Sequence, residues 1–203
     1  MLSTIRSGYP DLVDEVVPKV VPLQRLTEVL QRLVEEQVSI RDLKTILQSL
    51  SEGPRTDMDI VALTEHVRTG LKRKICYQLS EGRPTLFVHQ LDPEIEEAFR
   101  TSIRQSAAGP YLSMDPAMIQ QVLDAVHSQI GKLPSSAQRP VILTEADIRR
   151  FVKRLLDYNY PDIAVLQYEQ LTPEISVQPL GYISFVQPKP LGGAPPQELG
   201  TGA

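Results

Sequence analysis

Residues Pro22–Leu50, PLQRLTEVLQRLVEEQVSIRDLKTILQSL, constrain the fold more than any other stretch. Leu23, Leu26, Val29, Leu30, Leu33 and Val34 recur at helical spacing and build one broad apolar stripe. Ile40, Leu43, Ile46, Leu47 and Leu50 repeat the pattern, and Glu36-Gln37-Val38-Ser39 breaks the period between them. Ser39 is the expected N-cap of the second helix, because its hydroxyl can take up a free first-turn amide. Two short amphipathic helices joined by a tight turn have a helix-turn-helix shape. That shape raises the question of DNA binding.

Charge argues against it. The chain has a net charge of −4; residues 1–83 are balanced and the acidic excess lies in residues 84–203. DNA readers carry a basic excess that displaces counterions from phosphates. The second helix offers Arg41, Lys44 and Gln48, but Asp42 sits among them. A helix-turn-helix regulator therefore remains only the alternative reading.

The rest of the chain divides by pattern. Tyr9-Pro10 opens a short helix over Asp11–Val17, which Pro18 and Pro22 limit. After a polar connection containing Gly53 and Pro54, Asp57 or Asp59 caps a long helix reaching Tyr77 or Gln78. Its inner face is Ile60, Leu63, Val67, Leu71 and Ile75. Lys72-Arg73-Lys74 reads as a solvated face complementing the helix dipole, with a phosphate contact as the lesser reading. Ser80–Pro84 is the boundary, beyond which strands and helices alternate. Thr85–Gln90, Pro140–Leu143 and Ala164–Leu166 are strands, and Ile175–Phe185 supplies one or two more. Asp92-Pro93 and Asp115-Pro116 each start a helix, the aspartate capping and the proline in the first helical position. Ile103 belongs to the inner face of the first of these. Ser106–Pro110 reads as a loop, Tyr111–Met114 as an extended piece, and Gly131–Arg139 as a polar loop. Thr144 is expected to cap a helix burying Ile148, Phe151, Val152 and Leu155. From Gln187 the chain is rich in proline and glycine and reads as a flexible tail.

The fold class is thus α+β: an N-terminal all-helical part over 8–80, a small α/β part over 84–186 and a tail over 187–203. No apolar run approaches the roughly 18 residues of a membrane span. The N-terminus lacks signal-peptide organisation, and the single cysteine, Cys76, fits a reducing compartment. The expected location is cytoplasmic.

No catalytic constellation is present. His66, His89 and His127 lie in different elements without metal-ligand spacing, and neither a phosphate-binding loop nor a nucleophile elbow occurs. His89 is read as a hydrogen-bonded structural histidine and Cys76 as a small buried hydrophobe. Glu94, Glu96 and Glu97 follow a helix start, where carboxylates are favoured. No enzyme activity, cofactor or metal is expected.

Five segments carry a resemblance: YPDLVDEVVPKVVPLQRLTEVLQRLVEEQVSIRDLKTIL, LTEHVRTGLKRKICYQLSEG, LDPEIEEAFRTSIRQSAAGPYLSMDP, PVILTEADIRRFVKRLL and AVLQYEQLTPEISVQPLG. In order and spacing they resemble the third and fourth cytoplasmic subdomains of the type III secretion export gate family, over roughly residues 8–186. ICYQLSEG, SIRQSAAGPYLSMDP and ISVQPLG are more similar to injectisome than to flagellar members. The resemblance implies a winged-helix-like subdomain at 8–80 and an α/β terminal subdomain at 84–186. It also implies a nonameric ring under an inner-membrane channel, with neighbouring gate subunits, chaperone–substrate complexes and gatekeeper proteins as partners and no nucleic acid. Membrane contact is then expected only through transmembrane helices absent from this sequence, and the chain is expected to be a fragment or truncated product. Gly53 and Lys74 stand where injectisome relatives often carry an aromatic.

Two sets of polar residues are candidate protein-binding sites. Arg41, Asp42 and Lys44, on the outward side of the second helix, could pair across a ring interface; their plain reading is a solvated helix face. Arg149, Arg150, Lys153 and Arg154 form a basic strip suited to docking a chaperone complex or gatekeeper by electrostatic complementarity. They could instead pair with Glu145, Asp147 and Asp157 nearby.

Overall fold

A proline with extended backbone, Pro22 (φ −56°, ψ 146°), precedes the first helix of the computed structural model, α1 (Leu23–Glu35). The structure describes residues 21–52, 59–107, 109–131 and 138–185. The expected helix at Asp11–Val17, the Gly53–Pro54 connection, most of the Gly131–Arg139 loop and the tail lie outside these residues.

Helix α1 buries Leu26, Val29 and Leu33. It ends where the period breaks: Gln37 is left-handed (φ 59°), and the Val38 amide donates to the Leu33 carbonyl at 2.8 Å, closing the last turn. Helix α2 (Leu43–Glu52) follows. Its cap is Asp42, whose Oδ1 accepts from the Thr45 amide at 3.2 Å. Ser39, the expected cap, lies too far upstream and accepts instead from the Arg41 amide.

The single long helix expected next is divided into α3 (Ile60–Gly70) and α4 (Lys72–Leu79). Asp59 caps α3 through the Ala62 amide at 2.7 Å. Gly70 marks the division. A Cβ there would lie 2.0 Å from Ser49 Oγ on α2, so a larger residue would force the Ser49 hydroxyl off the Thr45 carbonyl it now bonds. Helix α4 ends with Glu81 and Gly82 both at positive φ.

Beyond Ser80–Pro84 the elements are β1 (Thr85–Leu91), α5 (Pro93–Ser102), β2 (Ile103–Ser106), β3 (Gly109–Leu112), α6 (Pro116–Ile130), β4 (Val141–Thr144), α7 (Arg149–Leu156), β5 (Ala164–Gln167), a 3-10 turn (Tyr168–Gln170) and β6 (Ser176–Ile183). Both Asp-Pro pairs start helices as expected. Asp92 and Asp115 each accept an amide two residues on, with proline at the helix start. Three details depart from the sequence reading. Ile103 opens β2, and β2 pairs antiparallel with β3 from Ile103↔Leu112 to Ser106↔Gly109, so the Ser106–Pro110 loop is a hairpin. Thr144 ends β4 and donates its hydroxyl to Glu96 at 3.1 Å, so it caps nothing; Ile148 precedes α7. His89 is buried, yet among the described residues neither ring nitrogen has a partner.

The other four strands form one parallel sheet in the order β5-β4-β1-β6. Alternation sends its residues to two faces. Leu86, Val88, Val141, Leu143, Ala164 and Leu166 share a core with α1–α4, whereas Leu91, Ile142, Val165 and Ile183 share one with α5, α6 and α7. The change of pattern at Ser80–Pro84 therefore separates two kinds of sequence around one sheet, and the first core runs across it. Among the described residues no helix is long and apolar enough to cross a membrane.

Candidate functional site

A buried charge cluster fixes the helical layer against the edge of the sheet. Glu36 follows α1, Glu65 and Arg68 lie on α3, and Arg149 opens α7. The Arg149 side chain is 1% exposed. Its guanidinium donates to both Glu36 oxygens at 2.8 and 3.0 Å and forks onto Glu65, with Nε at 2.7 Å from Oε2 and Nη2 on Oε1. Arg68 Nη1 lies 2.9 Å from Glu36. Both arginines also donate to the Val165 carbonyl on β5, each at 3.3 Å. Lys153, one turn along α7, donates to the Pro161 and Ile163 carbonyls at 3.2 and 3.0 Å and pairs with Asp157 at 2.8 Å.

The electrostatics follow from this crowding. Burial lowers the Arg68 pKa to about 10, with Arg149 adding repulsion and Glu36 and Glu65 opposing. Arg149 has the same burial working against its charge, but Glu65 and Glu36 outweigh it and push its pKa up. Burial works against the Glu36 carboxylate too; Arg68 and Arg149 prevail and hold its pKa below the ordinary value. Arg68, Arg149 and Glu36 all stay charged at neutral pH. Removing one partner would strand the others, and that loss exceeds the net worth of the intact pairs.

The expected basic strip is thus split. Arg149 and Lys153 are buried and satisfied, so they present nothing to a partner. Arg154 is exposed and Arg150 half-buried, with the Arg150 guanidinium 4.6 Å from the Phe151 ring centre. Neither pairs with Glu145 or Asp147; Asp147 binds Arg100 at 2.8 Å. In the other candidate set Arg41 and Lys44 are exposed and Asp42 is the α2 cap.

Sequence reasoning missed Glu36, Glu65 and Arg68. A signal existed: Thr64, Arg68, Leu71 and Ile75 share the inner stripe of α3 and α4, and a charge on an apolar stripe demands a partner. Of the basic cluster at 72–74, Arg73 pairs with Glu174 at 2.8 Å in solvent. Cys76 is buried as expected and its thiol donates to the Gln170 carbonyl. Among the described residues no group of three or more His, Cys, Asp and Glu could hold a metal ion.

Above the cluster opens a cleft of about 400 Å³ between α1, α3, α7 and the hairpin residue Pro110. The model of the FHIPEP family matches residues 1–176. The chain belongs to the FHIPEP family. Within it, this chain is 42% identical over 183 residues to the low calcium response locus protein D of Yersinia pestis, covering 90% of this chain and 26% of that protein. The solved CdsV protein of Chlamydia pneumoniae is similar at 46% identity and a TM-score of 0.83, over 90% of this chain and 52% of that one. CdsV has also been solved in complex with CdsO. The nonameric EscV cytosolic domain from the type III secretion system is similar at 34% identity and a TM-score of 0.75, over 90% and 53%. This FHIPEP chain spans about a quarter of the Yersinia relative's length.

Proposed function

We propose that this chain is the cytoplasmic docking and ring-forming part of a type III secretion export gate, receiving chaperone–substrate complexes and gatekeeper proteins for ordered export. The observation carrying this is its likeness, over 90% of its length, to a cytosolic domain that forms nonamers. The chemistry is recognition and assembly, without a covalent step. A rigid scaffold suits that work. The ion cluster and the shared core hold the helical layer against the sheet, so outward charges keep fixed positions when a partner arrives.

On this reading the helical layer is a winged-helix-like scaffold that binds protein, since fold alone does not set function. Arg41, Asp42 and Lys44 border a neighbouring subunit of the ring. Arg150 and Arg154 form the docking edge, with Arg149 and Lys153 supporting α7 from inside. Membrane attachment belongs to other parts of the full-length protein.

Two measurements test this. Light scattering across a concentration series gives the mass of the purified chain, and the same sample is challenged with the chaperone–cargo complexes of its own secretion system. A monomer that captures such a complex is the expected result. A stable dimer that retains DNA and captures none would overturn it in favour of a helix-turn-helix regulator.

A further inference from the structure

We propose that the cleft between α1, α3, α7 and the β2–β3 hairpin receives a short acidic segment of a protein partner, whose carboxylates are held by Arg32, Arg150 and Arg154. The inference rests on the docking reading and adds the site and the chemistry of its partner.

Three observations carry it. First, Arg32 from the last turn of α1 and Arg150 and Arg154 from α7 line the same cleft of about 400 Å³. Among the described residues none of the three is paired with a carboxylate, whereas the neighbouring buried Arg68 and Arg149 both are. Second, the floor is neutralised from within. Glu36 and Glu65 are taken up by Arg68 and Arg149, and Asp157 by Lys153. The mouth, where Glu35 is the opposing charge, is therefore positive in a chain whose net charge is −4. Third, Arg150 stands in the first turn of α7, a turn without an acidic residue. A cation there opposes the helix dipole, so helix stability does not account for it. Its neighbour Arg149 is accounted for by two glutamates. Stacking on Phe151 at 4.6 Å fixes the Arg150 plane and leaves its N–H fork available for a carboxylate. The site is a confined cleft rather than an extended basic track, which favours a peptide over serial phosphates.

The test titrates the full chain with three labelled probes: a short peptide alternating Glu and Ser, its Gln/Ser counterpart and a single-stranded oligonucleotide. The acidic peptide should bind, weaken as salt rises, and lose about tenfold or more in affinity with the double variant R32E/R154E, for loss of two charge-assisted contacts. R150A should weaken it as well, and K74E, exposed on α4 outside the cleft, should not. The milder pair R32Q/R154Q replaces R32E/R154E if charge reversal impairs folding. Equal binding of the acidic peptide to wild type and the R32/R154 variants would overturn the proposal. So would equal binding of the Gln/Ser peptide, or tighter binding of the oligonucleotide. Capture of a cognate chaperone–cargo complex is measured alongside. If wild type and variant capture it equally, docking stands and the cleft assignment falls; if neither complex nor acidic peptide binds, both fall.

Discussion

The two edges of the parallel sheet solve one problem in different ways. An edge strand presents unpaired backbone groups that invite another chain. At β5 and the residue just before it, the outward carbonyls of Val165 and Ile163 are taken by buried cations: Arg68 and Arg149 on the first, Lys153 on the second. At β6 no cation covers the edge among the described residues. Pro179 removes an amide there, and a register shift opposite Val88 and His89 leaves Leu180 without a partner residue on β1. One edge is sealed by charge carried on neighbouring helices, and the other is spoiled by its own sequence. Arg149 and Lys153, two of the cations that seal this edge, also line the cleft, so protection of the edge and placement of the proposed docking surface are one arrangement.

Removing the seal should have the largest effect. Arg149→Ala removes the fork on Glu65 and leaves Arg68 alone to serve Glu36 and the Val165 carbonyl, and should cost about 3–5 kcal/mol in urea unfolding. Lys153→Ala leaves the Ile163 carbonyl without its cation and should cost about 1–3 kcal/mol. Acid weakens the same edge. Glu36 has a folded pKa below its ordinary 4.5, so its contribution is complete above that value and is lost as pH falls through the folded pKa. Thermal melts should show a loss of stability below pH 4.5 that the Glu36→Gln variant lacks. Arg150→Ala, next in sequence to the most sensitive position, should stay within about 0.5 kcal/mol of wild type, because its side chain seals nothing. Pro179→Val should likewise barely change stability, yet restore an amide to the β6 edge and increase self-association, read by light scattering.

Much of this was legible in the sequence. The amphipathic pair at 22–50, the two Asp-Pro helix starts and the strands at 85–90, 140–143 and 164–166 follow from periodicity and local capping chemistry, and the structure has them. What was not legible depends on contacts distant in sequence. Nothing near Gly70 announces that Ser49 will lie against it. Thr144 has the composition of a cap but ends a buried strand and reaches Glu96. The basic strip at 149–154 looked uniform because spacing along one helix does not say which side meets Glu36, which lies 113 residues away. His89 was expected to have a hydrogen bond and has none among the described residues; burial instead lowers its pKa from 6.5.

The central claim is that this chain provides the ring-forming and docking surface of an export gate. The most direct test is the mass of the full-length protein in detergent by light scattering, with and without charge reversal at Arg41 and Lys44. Wild type should give a nine-subunit assembly, like the nonameric EscV cytosolic domain, and the reversed variant smaller species. A wild-type protein that never exceeds a dimer would contradict the account.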